Sequence, residues 1–115
     1  MINDNYIRTG KVINVVDGDT IDVDINMGFY TTIRQRFRLL RINCPEKFGE
    51  TKAQGLTSKE FTTSQLLNKE IVFQSFKTDS FKRWLAEVWY IDENGNQVNI
   101  SDKLLKTGLA VDFIK

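Results

Sequence analysis

The sequence predicts a mainly β protein with helices, an α+β domain of 115 residues arranged as a five-stranded barrel in the order β-β-β-α-β-β-α. Three observations predict it. Valine- and isoleucine-rich segments alternate apolar and polar residues, as at Ile21, Val23 and Ile25, the period of a half-buried strand. Midway along the chain, and again near its end, the period switches to that of a helix. Turn residues separate the strands, with Gly18, Met27–Gly28 and Asn94–Gly95 at the expected places.

The elements follow in order. "GKVINVVDGDTIDVDIN" reads as two strands joined or kinked at Gly18. After the turn at Met27 and Gly28 comes a third strand, "TTIRQRFRLLRI", whose Arg34, Arg36 and Arg38 share one face by the period-2 rule. Pro45 ends it, and "PEKFGETKAQG" is a polar loop. Thr57 and Glu60 have capping-box spacing, which predicts a helix over 56–68. "EIVFQSF" and "RWLAEVWYI" are two further strands, and Ser101 to Thr107 forms a short last helix with Lys106 in its final turn and Gly108 at its end. Phe37, Phe61, Phe73, Trp84 and Trp89 are expected in the core. This order is that of a small OB-type barrel, with a helix plugging the barrel between the third and fourth strands.

Composition bounds the chemistry. A chain of this length, 41% hydrophobic, suits one domain over residues 1–115 with its own core. Neither a membrane-length apolar run nor a signal-peptide pattern is visible, so no membrane partner and a cytoplasmic location are expected unless a leader was removed. One cysteine, Cys44, excludes an internal disulfide and a thiolate-rich zinc site. The chain has no histidine, which excludes Ser-His and Cys-His hydrolases and imidazole-bound metals. Catalysis must therefore use carboxylates, arginine, lysine, tyrosine or an oxygen-bound metal. Net charge is only +1, but "IRQRFRLLR" carries Arg34, Arg36, Arg38 and Arg41 with no acid among them.

Asp17 and Asp19 flank Gly18 within a strand-like run, where acids and glycine are poor strand formers. In an antiparallel meander the start of the second strand and the end of the third lie at the same end of the sheet. Asp17 and Asp19 can therefore meet "INCPE", and together with Asn43 and Glu46 they gather the oxygen ligands that calcium or magnesium prefers. Gly18 would let the backbone bend so that an acid turns inward.

"VDGDT", then "FRLLRINCPE", then "TDSFKRWLAEVW" resembles the staphylococcal, thermonuclease-like nuclease family over most of the chain, from about Gly10 to Ala110. The resemblance implies an OB-fold barrel that cleaves DNA and RNA with calcium. It implies Asp19 as a direct metal ligand, Asp17 as a nearby or water-mediated one, and Cys44 as a ligand through its backbone carbonyl. Glu46 would act on the attacking water, with Arg38 and Arg83 on the scissile phosphate. Asn43 departs from the aspartate usual at that position in calcium-dependent members, and is retained here as a metal-site candidate through its amide oxygen.

Physical reasoning reaches similar roles. Phosphodiester hydrolysis needs a placed, activated water and fixed positive charge on the equatorial oxygens. Two arginines and a divalent ion can supply that charge, and Glu46, behind a stiffening Pro45, is the candidate general base. Singly, each residue has an ordinary reading: Asp-Gly-Asp as a turn, the arginines as a solvated face, Glu46 as a loop acid, Arg83 as a partner of Asp79, Cys44 as a small buried side chain. The expected substrate is DNA or RNA, single strands preferred, and the expected state a monomer. The alternative is a non-catalytic OB module that binds single-stranded nucleic acid through a basic groove and aromatic platforms.

Overall fold

The computed structural model describes residues 3–46, 49–78 and 82–113. Its first half is a meander of β1 (Ile7–Asp17), β2 (Thr20–Asn26) and β3 (Thr32–Leu39). A short β4 (Ile42–Asn43) follows, then a 3₁₀ turn at Gly49–Thr51 that leads into α1 (Lys52–Leu66). The second half is β5 (Glu70–Phe76), β6 (Trp84–Ile91), β7 (Gln97–Asn99), α2 (Ile100–Lys106) and β8 (Val111–Asp112).

Strand order β3-β2-β1-β5-β6 is closed on itself by a parallel pairing of β3 with β6, Phe37 opposite Trp84 and Leu39 opposite Ala86. This is the five-stranded OB barrel. Closure removes the open edges that a five-stranded sheet would otherwise expose. β7 extends β6 as a hairpin arm, and β8 pairs antiparallel with β4, Asn43 opposite Val111.

Alternation places Val12, Ile21, Val23, Phe37, Leu39, Ile71, Phe73, Ala86 and Val88 inside, all buried. Phe37 and Phe73 pack as a tilted ring pair with centroids 5.0 Å apart. Ile100 and Leu104 of α2 complete the core. Two of the expected core aromatics lie nearer the surface: Trp84 is 43% exposed where β6 enters the barrel, and Trp89 is only half-buried.

The third strand is shorter than its sequence pattern suggests. It breaks at Leu40–Arg41, where Arg41 has φ +72°, and resumes as β4. The helix starts earlier than the capping-box spacing predicts. Lys52, Ala53 and Gln54 are good helix formers and carry it back to residue 52. Thr57 is therefore inside the helix, and its hydroxyl donates to the Ala53 carbonyl at 2.9 Å instead of capping.

α1 meets the barrel through small residues. Gly55, Ser58, Thr62 and Leu66 form its buried face. The Thr62 hydroxyl donates to the Gly18 carbonyl at 2.8 Å, and the Ser58 hydroxyl to the Leu109 carbonyl at 2.7 Å. The helix is thus tied both to the β1–β2 turn and to the segment before β8.

Candidate nucleic-acid and metal site

The β1–β2 connection is a two-residue turn, with Asp17 opposite Thr20 and a bulge just before it. Gly18 is needed there for closeness. A Cβ added to it would lie 2.8 Å from the Ser58 Cβ and 2.9 Å from the Cys44 Sγ. The glycine lets α1 and the segment after β4 that carries Cys44 crowd against the turn, rather than supplying a left-handed bend.

The crowding directs Asp19 into the protein, where it is 8% exposed. One carboxylate oxygen accepts the Cys44 backbone N–H at 2.9 Å and lies 3.5 Å from Arg38 Nη2. The other accepts the Thr20 hydroxyl at 3.1 Å. The Asp19 main-chain carbonyl accepts the Leu39 N–H at 2.8 Å. A buried carboxylate held by charge-assisted hydrogen bonds is an anchored negative charge. Asp19 thus meets the "INCPE" segment at the Cys44 N–H, at the end of the sheet where the meander puts both.

Arg38, 6% exposed, is the cation of this group. It donates to the Leu39 carbonyl and, at 2.9 Å, to the side-chain oxygen of Asn43. The Phe113 ring lies over its guanidinium, 5.7 Å from ring centre to carbon. Beside it is a hollow of about 160 Å³ whose walls include Arg38, Arg83, Leu40, Leu85 and Phe113. Two arginines thus border one small hollow.

Cys44 is buried, and burial pushes its thiol up to about 12, with the nearby Asp19 charge acting the same way. It is a packing residue whose backbone serves the site. Asp17 is half-buried beside the turn, close enough for its charge to bear on that thiol. Glu46 is exposed on the loop after Pro45, and its carbonyl accepts the Thr51 hydroxyl at 2.7 Å. Asp79, the suggested ion-pair partner of Arg83, lies outside the described residues.

The oxygen donors fit a hard cation in kind: the Asp19 carboxylate, the Asp17 carboxylate, the Cys44 carbonyl and the Asn43 amide oxygen, which keeps a second lone pair while accepting from Arg38. Among the described residues no three His, Cys, Asp or Glu side chains gather as a ready-made cage. A cation held here would draw also on backbone, amide and water oxygens.

The rest of the basic strand is not free positive charge. Arg34 pairs with Asp24 and Arg36 with Asp22, each Nε–O distance 2.8 Å, directly across the β2–β3 register. Of the three arginines on that face, Arg38 alone turns into the site. The fourth, Arg41, is held by the Glu87 carboxylate through Nε (2.5 Å) and Nη2 (3.1 Å), by Asp102 (2.9 Å) and by Asn99 (3.3 Å). The hydrogen bonds that Arg41 donates to Glu87 are the largest cause holding its pKa above the ordinary arginine value.

Sequence reasoning missed the Ser58 and Thr62 anchors, the Phe113 cover and the Arg41 network. Gly55, Ser58 and Thr62 at helical spacing were a visible sign of a closely packed small-residue face. The other two depend on contacts across long chain separations.

The closed five-stranded barrel, with a buried acid, a buried arginine and a second arginine beside one hollow, is of the OB class. The family model for staphylococcal nuclease homologues matches residues 36–115, and the chain belongs to that family. It is similar to thermonuclease of Staphylococcus hyicus, 35% identical over 90% of this chain and 58% of the relative. It also resembles endonuclease Htp3 of Saprolegnia parasitica (30%, over 88% and 54%). An uncharacterized protein of Methanocaldococcus jannaschii matches at 29%, over 91% and 59%. The chain thus spans little more than half the length of these relatives. No helix among the described residues is long and apolar enough to cross a membrane.

Proposed function

We propose that this protein is a nuclease that hydrolyses phosphodiester bonds of DNA or RNA, with a carboxylate-activated water and two arginines on the scissile phosphate. The observation that carries the reading is Arg38, set beside the buried Asp19 and lining a hollow shared with Arg83. The names of the thermonuclease and endonuclease relatives point the same way.

In this reading Arg38 and Arg83 bind the phosphate from one side of the hollow, and their planar forks neutralise charge that grows on the equatorial oxygens. Arg38 costs little to organise, because Asn43, the Leu39 carbonyl and the Phe113 ring already hold it. Glu46 takes a proton from the attacking water; the water oxygen forms the new P–O bond as the bond to the leaving oxygen breaks. Asp19, Asp17, the Cys44 carbonyl and the Asn43 amide oxygen would hold a divalent cation, calcium by the family resemblance. When bound, that ion supplies further positive charge at the phosphate and acidifies nearby water. Single strands suit the hollow best, since a strand seated beside the barrel must leave its partner.

One observation favours a second reading, a module that binds without cutting: Asn43 brings no charge, and its oxygen already serves Arg38. Incubating plasmid DNA and RNA with the protein in calcium, magnesium and chelator separates the two. Metal-dependent degradation is the expected result; a gel shift with intact substrate in all three conditions would replace the nuclease reading with the binding one.

A further inference from the structure

We infer that Arg41 is a positioning residue of this site, setting the β3–β4 kink that brings Asn43 onto Arg38 and the Cys44 N–H onto Asp19. The inference rests on the proposed function for its kinetic consequences, but its geometry stands apart from that reading. Arg41 sits between the two halves of the site: Arg38 precedes it by three residues, and Asn43 and Cys44 follow by two and three. For Asn43 to return to Arg38, the chain must turn sharply between them. It does so at Arg41, whose φ of +72° is the left-handed region that a non-glycine residue enters at a cost of about 1–3 kcal/mol. Something outside the turn must hold it there.

The holding groups come from three other elements. Glu87 of β6 takes the guanidinium through both its oxygens, Asp102 of α2 takes Nη1, and Asn99 of β7 approaches Nη2. The main chain is fixed at the same point: the Leu40 N–H donates to the Ala86 carbonyl, the Ser101 hydroxyl to the Leu40 carbonyl, and the Phe113 N–H to the Arg41 carbonyl. The last bond also places the Phe113 ring over Arg38. A planar fork reaching two carboxylates in different elements has a geometry that lysine does not reproduce. Two carboxylates occupy the Arg41 guanidinium, so it is a poor candidate for substrate phosphate even though it borders the hollow.

The test uses Arg41→Asn, which tolerates left-handed φ while removing the fork, with Glu87→Gln as a second way to loosen it. Two readouts are taken. In NMR spectra of the metal-free protein, the Cys44 amide proton, hydrogen-bonded to the Asp19 carboxylate, should move upfield in both variants while core amides of β1 and β5 stay in place. In steady-state kinetics, kcat should fall roughly 10-fold or more with KM within about twofold, because a displacement of about 1 Å at a site costs up to that scale or beyond. Arg41→Asn combined with Asn43→Ala should lose less than the two single losses added together, since both remove the Asn43–Arg38 contact. Additive losses, or an unmoved Cys44 amide, would overturn the inference. If Arg41→Asn fails to fold, Glu87→Gln decides it by the same readouts. An inactive wild-type protein would sink the nuclease reading, yet the amide shift would still decide this one.

Discussion

The side-chain oxygen of Asn43 accepts a hydrogen bond from Nη2 of Arg38 at 2.9 Å, so the residue that departs from the family's usual aspartate is engaged with the arginine proposed for the phosphate. An amide gives Arg38 a partner without neutralising it. Arg38 keeps more of its charge for an incoming anion, while the neighbouring oxygen donors lose one negative unit.

The first prediction follows. Calcium should bind the free protein weakly, around 10⁻⁴ to 10⁻³ M as in charge-poor calcium modules, and more tightly when a nucleotide with terminal phosphates is present. Asn43→Asp should strengthen calcium binding without nucleotide, as read by titration calorimetry. An unchanged affinity would remove Asn43 from the metal site and leave it as the support of Arg38 alone.

Arg38, Arg83 and Glu46 are proposed to act where charge or proton transfer develops. Replacing Arg38 or Arg83 by Gln, or Glu46 by Gln, should lower kcat by roughly 10² or more. Arg83 and Glu46 are exposed, so their variants should melt within about a degree or two of wild type. Near-full activity of Glu46→Gln would end its assignment as the base.

Because Arg34 and Arg36 are each paired across the strands, neither should contribute much to nucleic-acid affinity. Binding of a single-stranded oligonucleotide, measured at several salt concentrations, should show a shallow slope that Arg34→Gln and Arg36→Gln leave nearly unchanged. Arg83→Gln should flatten it by about one counterion. If Arg36→Gln flattens the slope as much as Arg83→Gln does, the cross-strand pair opens to substrate.

Those arginines also show what was legible in the sequence and what was not. Period-2 spacing gave the shared face of Arg34, Arg36 and Arg38, and the meander brought Asp19 to the Cys44 N–H just after β4. The "IDVDIN" run placed Asp22 and Asp24 on the facing strand, but their pairing with the arginines depends on register, which the turn at Met27–Thr31 sets. The break at Arg41 was hidden because arginine carries no left-handed preference; the side chains that hold its guanidinium, Glu87, Asn99 and Asp102, are distant in sequence. Thr57 and Glu60 misled because capping-box spacing is also ordinary spacing within a helix.

Acid stability should follow the same pairs. Hydrogen bonds from Arg36, the largest cause, hold the Asp22 carboxyl below its ordinary value of 3.8, and its side chain is 14% exposed. A carboxyl with a lower pKa folded than unfolded stabilises the fold fully above the unfolded value, and that stability is lost as pH falls through the folded one. Chemical melts from about pH 5 down to about pH 2 should therefore show wild type losing its advantage over Asp22→Asn. A constant difference between the two across that range would mean that the pair does not contribute through charge.

Gly18 gives the last prediction, and it links the packing of α1 to the site. A methyl group at residue 18 would meet the Ser58 Cβ at 2.8 Å and the Cys44 Sγ at 2.9 Å, both tighter than side chains tolerate, and the Ser58 carbonyl carbon at a crowded 3.1 Å. The helix cannot simply retreat, because Thr62 is bonded to the Gly18 carbonyl and Ser58 to Leu109. Moving Cys44 instead would pull its N–H from Asp19. Overpacking of this kind costs about 1–3 kcal/mol, so Gly18→Ala should lower Tm by several degrees and reduce activity beyond what the unfolded fraction explains. Adding Ser58→Gly removes the nearest carbon and should recover part of the lost stability, less about 1 kcal/mol for a glycine inside a helix and about 1 kcal/mol for the lost bond to Leu109. If Gly18→Ala melts with wild type, the turn and helix do not approach as closely as described, and the inward setting of Asp19 needs another cause.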